Sequence, residues 1–472
     1  MAKTDFYDRK GELRLLRDKY SNLSTGEMLV IYGRRRVGKT ELVKQFLEIV
    51  QENSLYFYVD LIEKKGILGS ISSAILEQLK ETVIFGGFDD FFKYIEKKSE
   101  NGKFVIIIDE FQRFLDIAPE FITMLQNYWD SKLKHKQLLI ILVGSSIGMM
   151  QKITSSKAGA LYGRVTKIKV SPFNYHDFRE MFKELSEEEK IMLFSVFGGT
   201  PFYLEKVKKI SGNIHGVIEE LMLKKGAELY EEPKNLLEYE NVRVHSKYNA
   251  ILSSIAAGKE ILKEIQDFTG IESNIMPAYI DKLDNLLDLV KRNDPLLGKE
   301  RLGRYAIKDN FFRFWYKFVF SNQTALNLGN IKAVSSLIKE NLNAYVGLIF
   351  EDIVKELLIL YLNKRIKGNE INFENIGSWW NRSGDEVDIV AYNNKTKKII
   401  VGEVKWRSNQ VDSDIIEEIL RKSRLINFKG EYQLLLVSKS GFTKECIRRM
   451  DELNVIYLTL NDISKLYDDA DK

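Results

Sequence analysis

The segment Gly33-Arg34-Arg35-Arg36-Val37-Gly38-Lys39-Thr40 constrains this chain more than any other feature. Two glycines bracket it, a lysine and a hydroxyl residue close it, and the surroundings suit it: Gly26 to Tyr32 reads as a short apolar strand, and Glu41 to Val50 has helical spacing. A strand that turns through such a loop into a helix points successive main-chain N–H groups at one spot, where the helix dipole also favours an anion. The expected ligand is the triphosphate of ATP, with Lys39 reaching the β- and γ-phosphates and Thr40 ligating Mg²⁺. Gly33, Arg34, Arg35, Arg36, Val37, Gly38, Lys39, Thr40 and Glu41 are therefore the candidate nucleotide-binding residues.

The second part of such a site is expected at the end of a buried strand. Phe104 to Ile108 is a continuous apolar run, as a central parallel strand requires, and it ends in Asp109-Glu110. Asp109 is placed to hold the magnesium and Glu110 to polarise the water that attacks the γ-phosphate. A third run, Leu138 to Val143, ends in Gly144-Ser145-Ser146. Ser145 and Ser146 are candidate sensors of the γ-phosphate and, equally, candidate caps of the helix that follows. Strands alternating with helices predict an α/β fold, a doubly wound parallel sheet with its ligand at the strand C-terminal ends.

Taken together with Asp5-Phe6-Tyr7-Asp8-Arg9, Glu12-Leu13, Leu161-Tyr162-Gly163-Arg164, Ser171-Pro172-Phe173 and Gly198-Gly199-Thr200-Pro201-Phe202-Tyr203-Leu204, these motifs resemble the archaeal ATPase family, in the STAND-like branch of AAA-type ATPases. The resemblance implies that Arg9 lies near the adenine. It also implies that Arg164 faces the γ-phosphate or a neighbouring subunit, the other reading of Arg164 being a surface salt bridge. Gly198-Gly199 with Pro201 reads as a bend between helices that is compatible with nucleotide sensing.

At 472 residues the chain is expected to hold two to four domains, at about 100–200 residues each. The expected division is a P-loop ATPase core over 1–180, a helical lid over 181–244, a winged helix over 245–320 and an α/β nuclease-like domain over 321–472. In the third part, two helical patterns separated by Gly270 precede Leu289-Val290 and Tyr305-Ala306-Ile307, which bracket a basic segment with Lys291, Arg292, Lys299, Arg301 and Arg304. Such a wing can contact DNA phosphates or serve as an internal spacer. Phe311 to Tyr316 crowds aromatic residues into one segment and reads as core rather than as a base-stacking platform.

The last part carries its own chemistry. Gly384 to Tyr392 and Lys398 to Trp406, joined by Asn393-Asn394-Lys395-Thr396, read as a hairpin. Period-two alternation puts Glu403 and Lys405 on one face, and the paired strand can bring Asp388 beside them. Asp388 and Glu403 are candidate ligands of Mg²⁺ or Mn²⁺, with Glu351 from a helix beginning near Gly347 completing the set and Lys405 either orienting the metal-bound water or steadying the developing phosphorane charge. Asp388 with Glu403-Val404-Lys405 resembles the PD-(D/E)XK nuclease core, and the archaeal ATPase family carries a domain of that kind. The other reading is a surface hairpin or an inactive remnant.

Charge adds little: 71 basic against 67 acidic residues make no global case for a nucleic-acid partner. A single cysteine, Cys446, and the lack of a signal-like or membrane-spanning apolar run predict a cytoplasmic protein with no membrane partner. The expected partners are ATP and DNA, with a homo-oligomer or a recruited protein as further possibilities. Two functions follow: an ATPase that controls a metal-dependent nuclease, or a nucleotide-operated switch that recruits a protein.

Overall fold

The computed structural model describes residues 7, 9–50, 53–155, 159–239 and 245–470, so Asp5, Phe6 and Asp8 of the N-terminal motif lie outside the described residues. The chain forms two compact units. The first comprises residues up to Pro172 with Thr200–Phe202 and Asp281–Asp288; the second comprises Phe173–Gly199, Tyr203–Ile280 and Leu289 onward.

The first unit is built on strands β1 (Glu27–Tyr32), β2 (Ser54–Tyr58), β3 (Phe104–Asp109), β4 (Leu138–Gly144) and β5 (Thr166–Lys169). All are parallel, in the order β2-β3-β4-β1-β5. Every residue of β3 and β4 is buried, which is why both are unbroken aliphatic runs rather than alternating ones. On one face Leu42, Val43 and Phe46 of the helix Lys39–Val50 pack on the sheet. On the other face lie the helices Lys64–Leu79, Phe88–Lys98 and Pro119–Ser131, with an aromatic cluster in which Phe114, of the short helix Phe114–Ile117, and Phe121 stack at 3.9 Å. Because β4 lies between β1 and β3, the residues following it fall between the glycine loop and the acidic pair.

In the second unit, the helices His245–Ala256 and Leu262–Thr269 and the short helix from Met276 lead to an antiparallel hairpin, β6 (Val290–Asn293) with β7 (Arg304–Ile307). Phe311, Phe312, Phe314, Trp315 and Tyr316 are all buried. A small hairpin, β8 (Lys364–Ile366) with β9 (Asn369–Ile371), precedes the main sheet. That sheet has the order β10 (Asn375–Trp380), β11 (Glu386–Asn393), β12 (Lys398–Lys405), β13 (Glu431–Ser438), β14 (Ile456–Thr459). The first three strands are antiparallel neighbours; β12, β13 and β14 are parallel, joined by the helices Asp414–Ser423 and Lys444–Glu452.

The helix carrying Glu351 differs from the sequence expectation. It runs from Ile331 to Leu360 without a break, so its start lies well before Gly347. Gly329, at φ 80°, supplies the bend that precedes it. Gly347 is tolerated inside the helix because the helix is anchored by buried neighbours such as Val346, Ile349 and Phe350, and Phe350 meets the Trp406 ring edge-to-face at 4.9 Å.

The basic hairpin is also docked. Leu296 N–H donates to Ser378 O at 2.8 Å and Trp380 Nε1 to Leu302 O at 2.8 Å, while the Arg304 guanidinium lies 4.6 Å over the Trp380 ring and 3.0 Å from Glu386. Among the described residues no helix is long and apolar enough to cross a membrane.

Candidate functional site

The loop between β1 and the helix Lys39–Val50 is closed by its own geometry. A Cβ on Gly33 would stand 2.1 Å from Val170 O, so only glycine lets β1 turn here, and Gly38 adopts φ 91°. Arg36 is also left-handed, at φ 71°, and its guanidinium stacks 3.8 Å over the Phe202 ring. Arg9 is buried and donates to Val37 O at 3.1 Å and to Ser171 O at 2.5 Å, fastening the loop from outside. Lys39 is buried and donates to Gly33 O at 2.9 Å and Arg34 O at 2.8 Å. Arg34 and Val37 are buried, Arg35 is exposed, and Glu41 sits on the exposed side of the helix paired with Lys44 at 2.9 Å.

The acidic pair lies against this loop. Thr40 Oγ1 donates to Asp109 Oδ2 at 2.8 Å, which brings together the two residues expected to hold magnesium. Asp109 Oδ1 accepts from Glu110 N at 2.9 Å, and Oδ2 accepts a second bond, from Tyr56 Oη, at 3.0 Å. Burial holds the Asp109 carboxyl above its ordinary range, against the lowering effect of the Thr40 and Tyr56 hydrogen bonds. Such a carboxylate, tied to a threonine hydroxyl at a helix N-terminus, is a fitting donor set for a hard divalent cation.

Glu110 occupies the left-handed region at φ 56°, unusual for a non-glycine residue and a recurrent mark of functional positions. Its Oε2 accepts from Ser145 Oγ at 2.9 Å and from Gln112 Nε2 at 2.5 Å, with Arg113 Nε at 3.8 Å. Ser145 thus meets the proposed water-polarising group, whereas Ser146 occupies the N-cap position of the helix Ile147–Thr154 without a side-chain cap bond. Arg164 makes a bidentate pair with Asp130, at 2.9 and 2.7 Å. Tyr56, Gln112 and Arg113 were not singled out in the sequence. Gln112 and Arg113 are close enough in sequence to Glu110 to be found by proximity, but Tyr56 lies on an unremarkable edge strand and carried no signal.

The second cluster is on β11 and β12. Lys405 Nζ lies 2.5 Å from Glu403 Oε2 and 3.5 Å from Asp388 Oδ2, and Asp388 Oδ2 also accepts Val404 N–H at 2.8 Å. The antiparallel register, with Ile389 opposite Gly402, sets these side chains together. Lys422, from the helix Asp414–Ser423, reaches the other Glu403 oxygen at 2.9 Å; no strand pattern points to it. Burial, then the nearby Asp388 charge, raises both Glu351 and Glu403 above the ordinary carboxylate range. Raised carboxyls of this kind resist ionising side by side, which a nearby positive charge relieves. Two ammonium groups already neutralise Glu403, and no group of three histidine, cysteine or acidic residues among the described residues is arranged to hold a metal ion.

A parallel five-stranded sheet with its glycine loop at β1 and its acidic pair at β3 defines a P-loop ATPase. The chain belongs to the archaeal ATPase family: a model described as an ATPase domain predominantly from Archaea matches residues 6–207, and one described as archaeal and bacterial proteins of unknown function matches residues 315–418. A protein of Methanocaldococcus jannaschii is 32% identical over 449 residues, covering 93% of this chain and 97% of its own length. Among solved structures, the Walker-type ATPase of Pyrococcus abyssi superposes with a TM-score of 0.50 at 21% identity, covering 67% of this chain and 97% of its own, a likeness of fold. The Aeropyrum pernix ORC2 protein, in its ADPNP-ADP complexes, reaches a TM-score of 0.45 at 16% identity over 69% of this chain and 96% of its own.

Proposed function

We propose that this chain binds and hydrolyses ATP with Mg²⁺, and that nucleotide state controls a metal-dependent nuclease-like centre acting on DNA. The observation that carries the first half is the hydrogen bond from Thr40 to Asp109, which joins the loop to the acidic strand end. When bound, Mg²⁺ supplies charge neutralisation for the phosphates. Thr40 and Asp109 would hold it, Lys39 would bind the β- and γ-phosphates, and Glu110 would orient the attacking water while Ser145 steadies its carboxylate. Lys39→Ala should abolish tight ATP binding. Glu110→Gln should keep ATP bound and slow turnover by at least about 100-fold, the upper range for a positioned base being about 10⁴. Unchanged affinity in the first variant or unchanged turnover in the second would refute the assignment.

The second half rests on Asp388, Glu403 and Lys405 meeting on adjacent strands. Mg²⁺ or Mn²⁺ held by Asp388 and Glu403, with Glu351, would require Lys405 and Lys422 to release the Glu403 oxygens, and would then supply Lewis-acid chemistry toward a phosphodiester; Lys405 would face the phosphate. The segment 245–320 would act as a winged helix that guides DNA, the region 181–244 as a lid, and Arg164 would act across a subunit contact of a homo-oligomer in the cytoplasm. DNA cleavage lost in Asp388→Ala and Lys405→Ala would support this reading, and cleavage equal to wild type in both would sink it.

A second reading has its own support. Each Glu403 oxygen is already bonded to a lysine, as expected of a scaffold rather than a cation site. On this reading the chain is a nucleotide-operated switch that recruits a protein partner. A partner retained only in one nucleotide state, with no cleavage by the wild type, favours it.

A further inference from the structure

Asp109 is held by three donors: one from the glycine loop, one from its own chain neighbour and one from the edge strand β2. Thr40 Oγ1 and Tyr56 Oη both donate to Oδ2, at 2.8 and 3.0 Å, and Glu110 N–H donates to Oδ1 at 2.9 Å. A carboxylate turns freely about its last side-chain torsion unless such bonds fix its plane. Tyr56 lies on β2, the edge strand, whose register sets Tyr56 against Ile107, and its ring packs on the same face of the sheet as the helix Lys39–Val50.

Tyr56 is in turn held from the open side of the strand. The Gln78 amide, on the helix Lys64–Leu79, accepts Tyr56 N–H at 2.8 Å and donates to Tyr56 O at 2.7 Å. This reproduces the two bonds of a neighbouring strand at one residue, the one whose side chain reaches Asp109.

We propose that Tyr56 is a positioning residue for the magnesium-holding carboxylate of Asp109, and that Gln78 fixes Tyr56 in that role from the sheet edge. The inference rests on the ATPase reading above. Outer groups that orient a ligand typically change metal affinity about 10–100-fold when removed. Tyr56→Phe keeps the ring and removes only the hydroxyl. Gln78→Ala alters an exposed side chain and leaves the hydroxyl in place.

The test is binding of a fluorescent ATP analogue to the full chain, in EDTA and across a Mg²⁺ series, paired with ATP turnover over the same series. Tyr56→Phe should match wild type in EDTA, need about 10-fold more Mg²⁺ for half-maximal effect, and regain most of its turnover at saturating Mg²⁺. Gln78→Ala should shift the Mg²⁺ requirement the same way, by a few-fold, and carries the same readout if Tyr56→Phe fails to fold. A Mg²⁺ dependence superimposable on wild type, in Tyr56→Phe or, should that variant not fold, in Gln78→Ala, overturns the proposal while leaving the ATPase reading intact. A wild type that binds no nucleotide overturns both.

Discussion

A methyl group on Gly33 would meet Val170 O at 2.1 Å, and a backbone carbonyl cannot swing aside as a flexible side chain can. Gly33→Ala should therefore cost about 1–3 kcal/mol of stability and displace the loop, measured as a lower denaturant midpoint and weakened ATP binding. Gly69, inside the helix Lys64–Leu79, is the contrasting case, since a Cβ there meets nothing within 4 Å. Gly69→Ala should stabilise by about 0.5–1 kcal/mol, because the helix gains a better former without a clash. If both substitutions moved stability the same way, the close approach at Gly33 would be wrong. The pattern of two glycines is visible in the chain; that only Gly33 faces a carbonyl from the segment after β5 is a long-range fact that local spacing does not encode.

At the level of elements, two acids of the helix Ile331–Leu360, Glu351 and Glu356, have unequal surroundings. Glu351 is raised by burial and then by the Asp388 charge, while Glu356 accepts Tyr175 N–H at 2.9 Å and His176 N–H at 2.8 Å, and burial pushes its pKa up from 4.5 to about 7. Between pH 4.5 and 7 the folded chain holds this proton and the unfolded chain releases it. That contribution to stability is full below pH 4.5, falls as pH rises to 7 and is flat above. Glu356→Gln should remove that fall, seen by comparing melting temperatures at pH 5 and pH 8 with wild type, a difference on the order of 1–3 kcal/mol. The helix Asp414–Ser423 supplies another test. Lys422→Ala leaves Glu403, 1% exposed, with one ammonium partner instead of two and should cost about 1–3 kcal/mol. Adding Glu403→Gln should recover part of that loss, and strict additivity would show that the pair does not interact.

The same elements show what the chain discloses in advance. β3 and β4 announce themselves because burial on both faces leaves only apolar residues in Val105–Ile108 and Leu138–Val143. Asp388, Glu403 and Lys405 are equally readable, because strand alternation and a short turn fix their register. Lys422 is not, since a lysine on an amphipathic helix looks the same whether it meets water or Glu403. The position of β4 between β1 and β3, which sets Ser145 on Glu110, depends on strand pairings far apart in sequence.

For the whole molecule, contacts divide the chain into two units rather than along a single cut. Thr200–Phe202 and Asp281–Asp288 belong with the ATPase sheet although they lie far beyond it in sequence: Phe202 stacks on Arg36, and Leu286 comes within 3.0 Å of a Cβ placed on Gly148. A chain ending near residue 180 should therefore melt below the full-length protein and bind ATP more weakly, measured by thermal denaturation with and without nucleotide; equal affinity and equal melting would show these later segments to be dispensable.

Ser378 and Trp380 spend their outward-facing groups on Leu296 and Leu302. A fragment begun at residue 321 would bring β10 into solvent with that flank bare, ready to recruit a strand from another molecule. Expressed alone, such a piece invites clumping that has nothing to do with its chemistry, and dissection of this protein is better started upstream of β6.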